Sequence, residues 1–250
     1  MAEPLLQVDR VSRRFGGLLA VNDVSLTAQQ GRITALIGPN GAGKTTLFAL
    51  ISGFLQPSGG AIRYGGANVT GEPPHRLARR GIARTFQIVQ PFAGLTVRDN
   101  ILVGAHLRHA ARATAAAAAE QIGREVGLGA VLDRPADTLT VAGRKRLELA
   151  KALATAPKLL LLDEVLAGLN PSEIRDIVPV IRALCQRGIT IVMIEHVMQA
   201  VMSLADHVFV LAEGRIIAEG TPAQVAADPG VVEAYLGHGA AAKLGGAHAN

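Results

Sequence analysis

Three short apolar stretches, ITALIG (33–38), KLLLLDE (158–164) and ITIVMIE (189–195), constrain this chain most, because each is followed by a segment with helical spacing. The partners are LFALISGF, PSEIRDIVPVIRALC and HVMQAVMSLA. Strand and helix in alternation give the βαβ pattern of a parallel sheet. The second of these helices has a marked start: Asn170 can cap it, Pro171 suits the first helical position, and Glu173 can reach back to the cap. Ahead of this region, LLQVDRVSRRFGGLLAVNDVSLTAQ alternates like strands around the turn-forming Gly16 and Gly17, which predicts an antiparallel piece beside the main sheet. Between Pro91 and Ala156 strand signals fade, and the Ala-rich segment ATAAAAAEQIGREVG favours helix. The fold class expected is therefore α/β: a mostly parallel core, an N-terminal antiparallel β subdomain, and an inserted helical subdomain over about 91–156.

With 250 residues, 49% of them hydrophobic, the chain can bury a large core. No apolar run reaches the ~18 residues of a membrane span, and KLLLLDEVLAGL is interrupted by Asp163 and Glu164. The N-terminus lacks a basic region followed by an apolar stretch, so no secretion signal is expected. Cys185 is the single cysteine, which rules out an internal disulfide and suits a reducing compartment. A net charge of +5 favours an anionic partner such as nucleotide, nucleic acid or a membrane surface, unless the cations are simply solvated. The tail at 238–250 has no periodicity and little to bury, and is expected to be unstructured.

GPNGAGKTT (Gly38, Pro39, Asn40, Gly41, Ala42, Gly43, Lys44, Thr45, Thr46) fits G-x-x-x-x-G-K-[ST] between a predicted strand and a predicted helix. Its glycines allow the backbone to curl so that N–H groups converge on phosphates at a helix N-terminus. Lys44 adds a point charge toward the outer phosphates, and the Thr45 hydroxyl suits Mg²⁺. Asp163 and Glu164 end a strand at the edge where parallel sheets bind ligands. Neighbouring strand residues point opposite ways, so Asp163 can serve the Mg²⁺ shell while Glu164 polarises an attacking water. His196 follows another strand at the same edge, and fits either a contact to a terminal phosphate or an ordinary structural or solvated histidine. Gln87, in RTFQ, fits either a ligand to Mg²⁺ or water, or an ordinary surface glutamine; Phe15 fits either a stacking platform for a base or core packing.

Together GPNGAGKTT, RTFQ, LTVAG, LLLLDE, AGLN and EH, in this order, resemble an ATP-binding cassette (ABC) ATPase over residues 5–237. Within that family RRFGGLLAVNDVSL, ARTFQIVQPFAGLTVRDNILVGA, AGLNPSEI and EGTPAQVAADPGVVEAYLG look closest to the ATPase subunits of branched-chain amino-acid importers. The resemblance implies ATP and Mg²⁺ as ligands, Phe15 stacked on adenine, and residues 38–46 around the phosphates. It also implies Gln87 sensing Mg²⁺ and coupling to membrane subunits, Glu164 as catalytic base, and His196 on the γ-phosphate. Two cassettes would close head to tail, each signature loop capping the other's ATP. Separate permease subunits, an external solute-binding protein and a peripheral place on the cytoplasmic face of the membrane complete the expected assembly. Urea or short-amide import and lipid export share this chemistry. A soluble cassette acting on nucleic acid or ribosomes usually carries tandem cassettes or a coiled-coil insertion, neither present here, so no nucleic-acid partner is expected. A phosphate-transferring P-loop kinase is disfavoured by Asp163–Glu164 and the signature region.

The signature itself departs from the family. LSGGQ is written LTVAG, with Thr140 keeping the hydroxyl, Ala142 in place of the second glycine and Gly143 in place of the glutamine. Alanine takes φ > 0 less readily than glycine, so a looser approach to phosphate and a weakened signature are expected. The following helix also begins with Arg144, Lys145 and Arg146, at the end where the helix is itself partly positive. A partner's polyphosphate ahead of the helix is expected to offset that charge.

Overall fold

The computed structural model describes residues 3–236 apart from Val89 and Ala93, so the tail call at 238–250 lies outside the described residues. The N-terminal hairpin pairs β1 (Leu6–Phe15) with β2 (Leu18–Ala28) across Gly16 and Gly17. After β3 (Ile33–Ile37), the strands β4 (Gly59–Tyr64) and β5 (Ala67–Asn68) extend the hairpin into an antiparallel sheet ordered β2-β1-β4-β5. The second sheet adds β6 (Ile82–Arg84), β7 (Leu159–Asp163), β8 (Thr190–Ile194), β9 (His207–Ala212) and β10 (Arg215–Gly220), in the order β10-β9-β3-β8-β7-β6. Every pairing in it is parallel except β9 with β10.

The helices are α1 (Lys44–Ile51), α2 (Pro74–Arg80), α3 (Val97–Ala105), α4 (Arg112–Glu125), α5 (Val141–Ala154), α6 (Pro171–Gln186), α7 (Met198–Leu204), α8 (Pro222–Ala226) and α9 (Pro229–Leu236). The cap read at Asn170 is present as a reciprocal capping box with Glu173. On α4 the buried positions Ala115, Ala119 and Gly123 recur every fourth residue, so one face of the Ala-rich helix is small. That face lets neighbours approach closely: a Cβ on Gly123 would lie 2.5 Å from a methyl of Leu132.

The unbroken apolar runs follow from burial on both faces of the parallel sheet. On β7, Leu160 and Leu162 face a core shared with α3, α5 and α6, while Leu159 and Leu161 face a second core shared with α1 and the antiparallel sheet. β8 divides the same way, Ile191 and Met193 against Val192 and Ile194. Each fully buried Leu or Ile contributes roughly 2 kcal/mol to this sandwich. Because all these strands run in one direction, the loops that follow β3, β6, β7 and β8 gather at one edge of the sheet.

Candidate active site

The loop after β3 builds a cradle. Gly38, Gly41 and Gly43 all have positive φ, and Gly43 immediately precedes α1 as its N-cap. Two of these glycines have no room for a side chain. A Cβ on Gly38 would sit 1.9 Å from the carbonyl oxygen of Leu211 on β9, and one on Gly43 would sit 2.3 Å from that of Ala20 on β2. Lys44 is buried and folds back over the loop, its Nζ donating to the carbonyls of Gly38 (2.8 Å) and Pro39 (2.9 Å). Burial pushes its pKa below the ordinary lysine value, and the charges of Glu164 and Asp163 pull it part of the way back.

Across the edge, Glu164 stands between two other loops. Its Oε2 accepts from Gln87 Nε2 at 2.7 Å, and its Oε1 lies 2.7 Å from His196 Nε2. The residue is held in the left-handed region, φ +50°, which costs a non-glycine residue ~1–2 kcal/mol. Its amide donates to Ile194 at the end of β8, and its carbonyl accepts from Lys145 Nζ at 2.9 Å. Asp163 is 1% exposed and pairs with Arg84, whose Nη2 donates to Oδ2 at 2.7 Å; Asp163 Oδ1 has no partner among the described residues.

Of these groups, Lys44, Gln87, Glu164 and Asp163 line two adjoining cavities, and His196 lines neither. One, of about 440 Å³, is lined by Phe15, Leu18, Asn40 to Thr46, Gln87 and Glu164. The other, of about 560 Å³, brings Thr45, Gln87 and Asp163 together beside Arg84. Phe15 is 41% exposed and carries Arg13 4.6 Å from its ring centre, so it is not a core residue. Thr140, Ala142 and Gly143 line neither cavity.

At the signature one expectation changes. Thr140 does cap α5, accepting from the Gly143 amide at 3.1 Å, but Ala142 and Gly143 lie inside the helix and neither has positive φ. Alanine in place of glycine at 142 is therefore unstrained. The cations of α5 also find acceptors within the chain. Arg144 donates to the carbonyls of Leu139 and Asp137, Lys145 to those of Gln87 and Glu164, and Arg146 to that of Val126.

Two residues of the site, Arg84 and Glu195, were not singled out in the sequence, and a third, Lys145, was noted only as a cation at the start of its helix. Glu195 ends the apolar run of β8 and is 0% exposed, with Oε1 accepting from the Leu166 amide and Oε2 unpartnered among the described residues. Desolvation raises its pKa to about 7, with the Glu164 charge adding to the rise; the amides of Leu166 and His196 and the charge of Lys145 oppose it. A carboxyl whose pKa rises from 4.5 to about 7 on folding binds its proton more tightly in the folded state. Stability is then lost as pH climbs through that window, by ~3 kcal/mol once it is passed. Glu195→Gln removes the ionisation, so its melting temperature relative to the parent should rise between pH 5 and pH 8. Thermal melts at the two pH values check this; a difference independent of pH would show that the carboxyl does not titrate there.

A phosphate cradle on a parallel strand, facing a carboxylate pair at the end of another, defines a P-loop nucleoside triphosphatase. The family described as ABC transporter matches residues 21–167, and the chain belongs to it as one of its ATP-binding cassettes, an ATPase serving transport. Residues 215–241 match a second family, described as branched-chain amino acid ATP-binding cassette transporter. The chain is 41% identical to the high-affinity branched-chain amino acid transport ATP-binding protein BraF of Pseudomonas aeruginosa, over 95% of this chain and 99% of that protein. It is 40% identical to LivG of Escherichia coli, a protein of the same description, with the same coverage. Among solved structures it resembles a nucleotide-free ATP-binding cassette from an ABC transporter (TM-score 0.87, 33% identity, 94% of this chain and all of that one). It also resembles an ADP-bound conformation of such a cassette (TM-score 0.86, 33% identity, 95% of this chain and all of that one). Among the described residues no helix is long and apolar enough to cross a membrane.

Proposed function

We propose that this chain hydrolyses Mg²⁺-bound ATP to drive import of branched-chain amino acids through separate permease subunits, working at the cytoplasmic face of the membrane. The observation that carries the chemistry is Glu164, its carboxylate held by Gln87 and His196 at the mouth of the phosphate cradle. The cargo follows BraF and LivG and the match at residues 215–241. Residues 5–237 form the cassette, with 91–156 as its helical subdomain.

In this reading Phe15 stacks on the base, the amides of residues 38–46 surround the phosphates, and Lys44 leaves its two carbonyls for the outer phosphates. Glu164 takes the proton of the attacking water. His196 contacts the γ-phosphate and orients Glu164. Thr45, Gln87 and Asp163 would hold Mg²⁺, which neutralises phosphate charge when bound. The site fits such an ion: Asp163 Oδ1 is buried and unpartnered among the described residues, and Asp163, Thr45 and Gln87 line the same cavity. Mg²⁺ keeps waters and phosphate oxygens as most of its ligands, so few protein groups suffice.

Two cassettes would pair head to tail, with Thr140, Ala142 and Gly143 facing the partner's nucleotide, and a solute-binding protein would deliver cargo from outside. An apolar patch supports the permease contact. Phe54 and Phe86 meet edge to face at 5.5 Å and line a groove between α2 and α5, and both stay exposed, as do Ile88 and Phe92. The test is transport by the complex co-purified with its permease subunits and placed in vesicles. ATP-dependent uptake of leucine, isoleucine and valine is expected. Uptake of urea, a short amide or lipid instead would overturn the cargo, and phosphate release without any transport would overturn the coupling.

A further inference from the structure

Lys145 is the one cation of the α5 N-terminus that reaches the catalytic edge. The residue is 7% exposed, and its Nζ donates to the carbonyl of Glu164 at 2.9 Å and to that of Gln87 at 3.3 Å. Those two residues are also joined side chain to side chain, Gln87 Nε2 to Glu164 Oε2 at 2.7 Å. The loops after β6 and β7 are therefore fastened twice, once through the carboxylate and once through a lysine rooted in the signature helix. Glu164 needs the second fastening. Its left-handed backbone is unfavourable unless surrounding contacts hold it, and its carbonyl is fixed by Lys145 while its amide is fixed by Ile194. Glu195, buried across the same junction, holds the Leu166 amide two residues further on and feels the charge of Lys145.

We propose that Lys145 is a positioning residue for hydrolysis: its ammonium ties the signature helix to the backbones of Gln87 and Glu164, and so sets where the Glu164 carboxylate points. A cation at this unfavourable end of a helix is then explained by what it holds. The inference rests on Glu164 acting as the base. Among the described residues Lys145 donates to Gln87 and Glu164 and to none of residues 38–46, so its removal should misplace the base while the loop and Lys44 that grip the phosphates stay in place, and misplacement by about 1 Å can cost up to ~10²-fold in rate.

The experiment compares Lys145→Met and Lys145→Arg in the complex assembled with its permease. Lys145→Met keeps the apolar stem and should lower kcat at least ~10-fold while KM for ATP stays within about twofold. Lys145→Arg, which can still donate to both carbonyls, should recover most of the loss. An unchanged kcat in Lys145→Met overturns the proposal. So does a fall shared between kcat and ATP affinity, or one that Lys145→Arg does not relieve, since either marks a structural role only. Glu164→Gln is measured alongside to separate the two readings. If that variant hydrolyses ATP normally, the base assignment fails, and the tie is then judged by amide exchange over residues 164–167. Faster exchange there in Lys145→Met upholds the tie, and unchanged exchange refutes it.

Discussion

Glu164→Gln should reduce ATP turnover by the assembled complex by about 10²- to 10⁴-fold, the range associated with losing a general base, while ATP affinity changes by no more than about twofold. Glutamine is nearly isosteric with glutamate. Its amide oxygen can still accept from one of the two flanking donors, Gln87 Nε2 or His196 Nε2, and the backbone ties to Ile194 and Lys145 do not involve the side chain. What disappears is the ability to take a proton. The loss should therefore appear in kcat, measured as phosphate release, with KM nearly unmoved. A variant that turns over within a few-fold of the parent would remove Glu164 from this role and leave His196 as the nearest candidate.

Lys44→Ala should act on the other side of the reaction, weakening ATP affinity by roughly 10²- to 10⁴-fold. An ammonium to phosphate hydrogen bond contributes ~1.5–3 kcal/mol, and two of them correspond to that loss. In this structure the ammonium is poised over the loop on the carbonyls of Gly38 and Pro39, with burial lowering its pKa. Phosphate oxygens are better partners than carbonyls, so the lysine gains by exchanging them. Titration with a fluorescent ATP analogue reads the affinity. A value within threefold of the parent would mean that the phosphates settle elsewhere.

Legibility in the sequence tracked the distance over which each feature is built. The phosphate loop, the Asn170 capping box and the Asp163–Glu164 pair are made by neighbours in the chain, so their residue order carries their chemistry. The parallel strands were readable because burial on both faces removes polar alternation. The sequence reading assigned no strand to β4, β5, β6, β9 or β10; β9 joins β3 in parallel, and β10 is an antiparallel addition at the sheet edge, after strands that repeat a βα pattern. The parts played by Arg84, Lys145 and Glu195 were invisible for another reason. Their partners Asp163, Gln87 and Leu166 lie 79, 58 and 29 residues away, and nothing local marks a charged side chain as destined for burial. The cationic start of α5 could be seen as an anomaly, but only the folded contacts show that carbonyl oxygens of the same chain satisfy it.

The carbonyls of Leu211 and Ala20 press so closely on Gly38 and Gly43 that the two strands bearing them act as a mould for the loop between. Its curvature is cast when the sheets dock, before any nucleotide arrives, and the entropy of shaping it belongs to folding rather than to ligand capture. ATP consequently meets a rigid receptacle, and the free energy released on contact remains for the larger rearrangements by which a cassette does work on its surroundings.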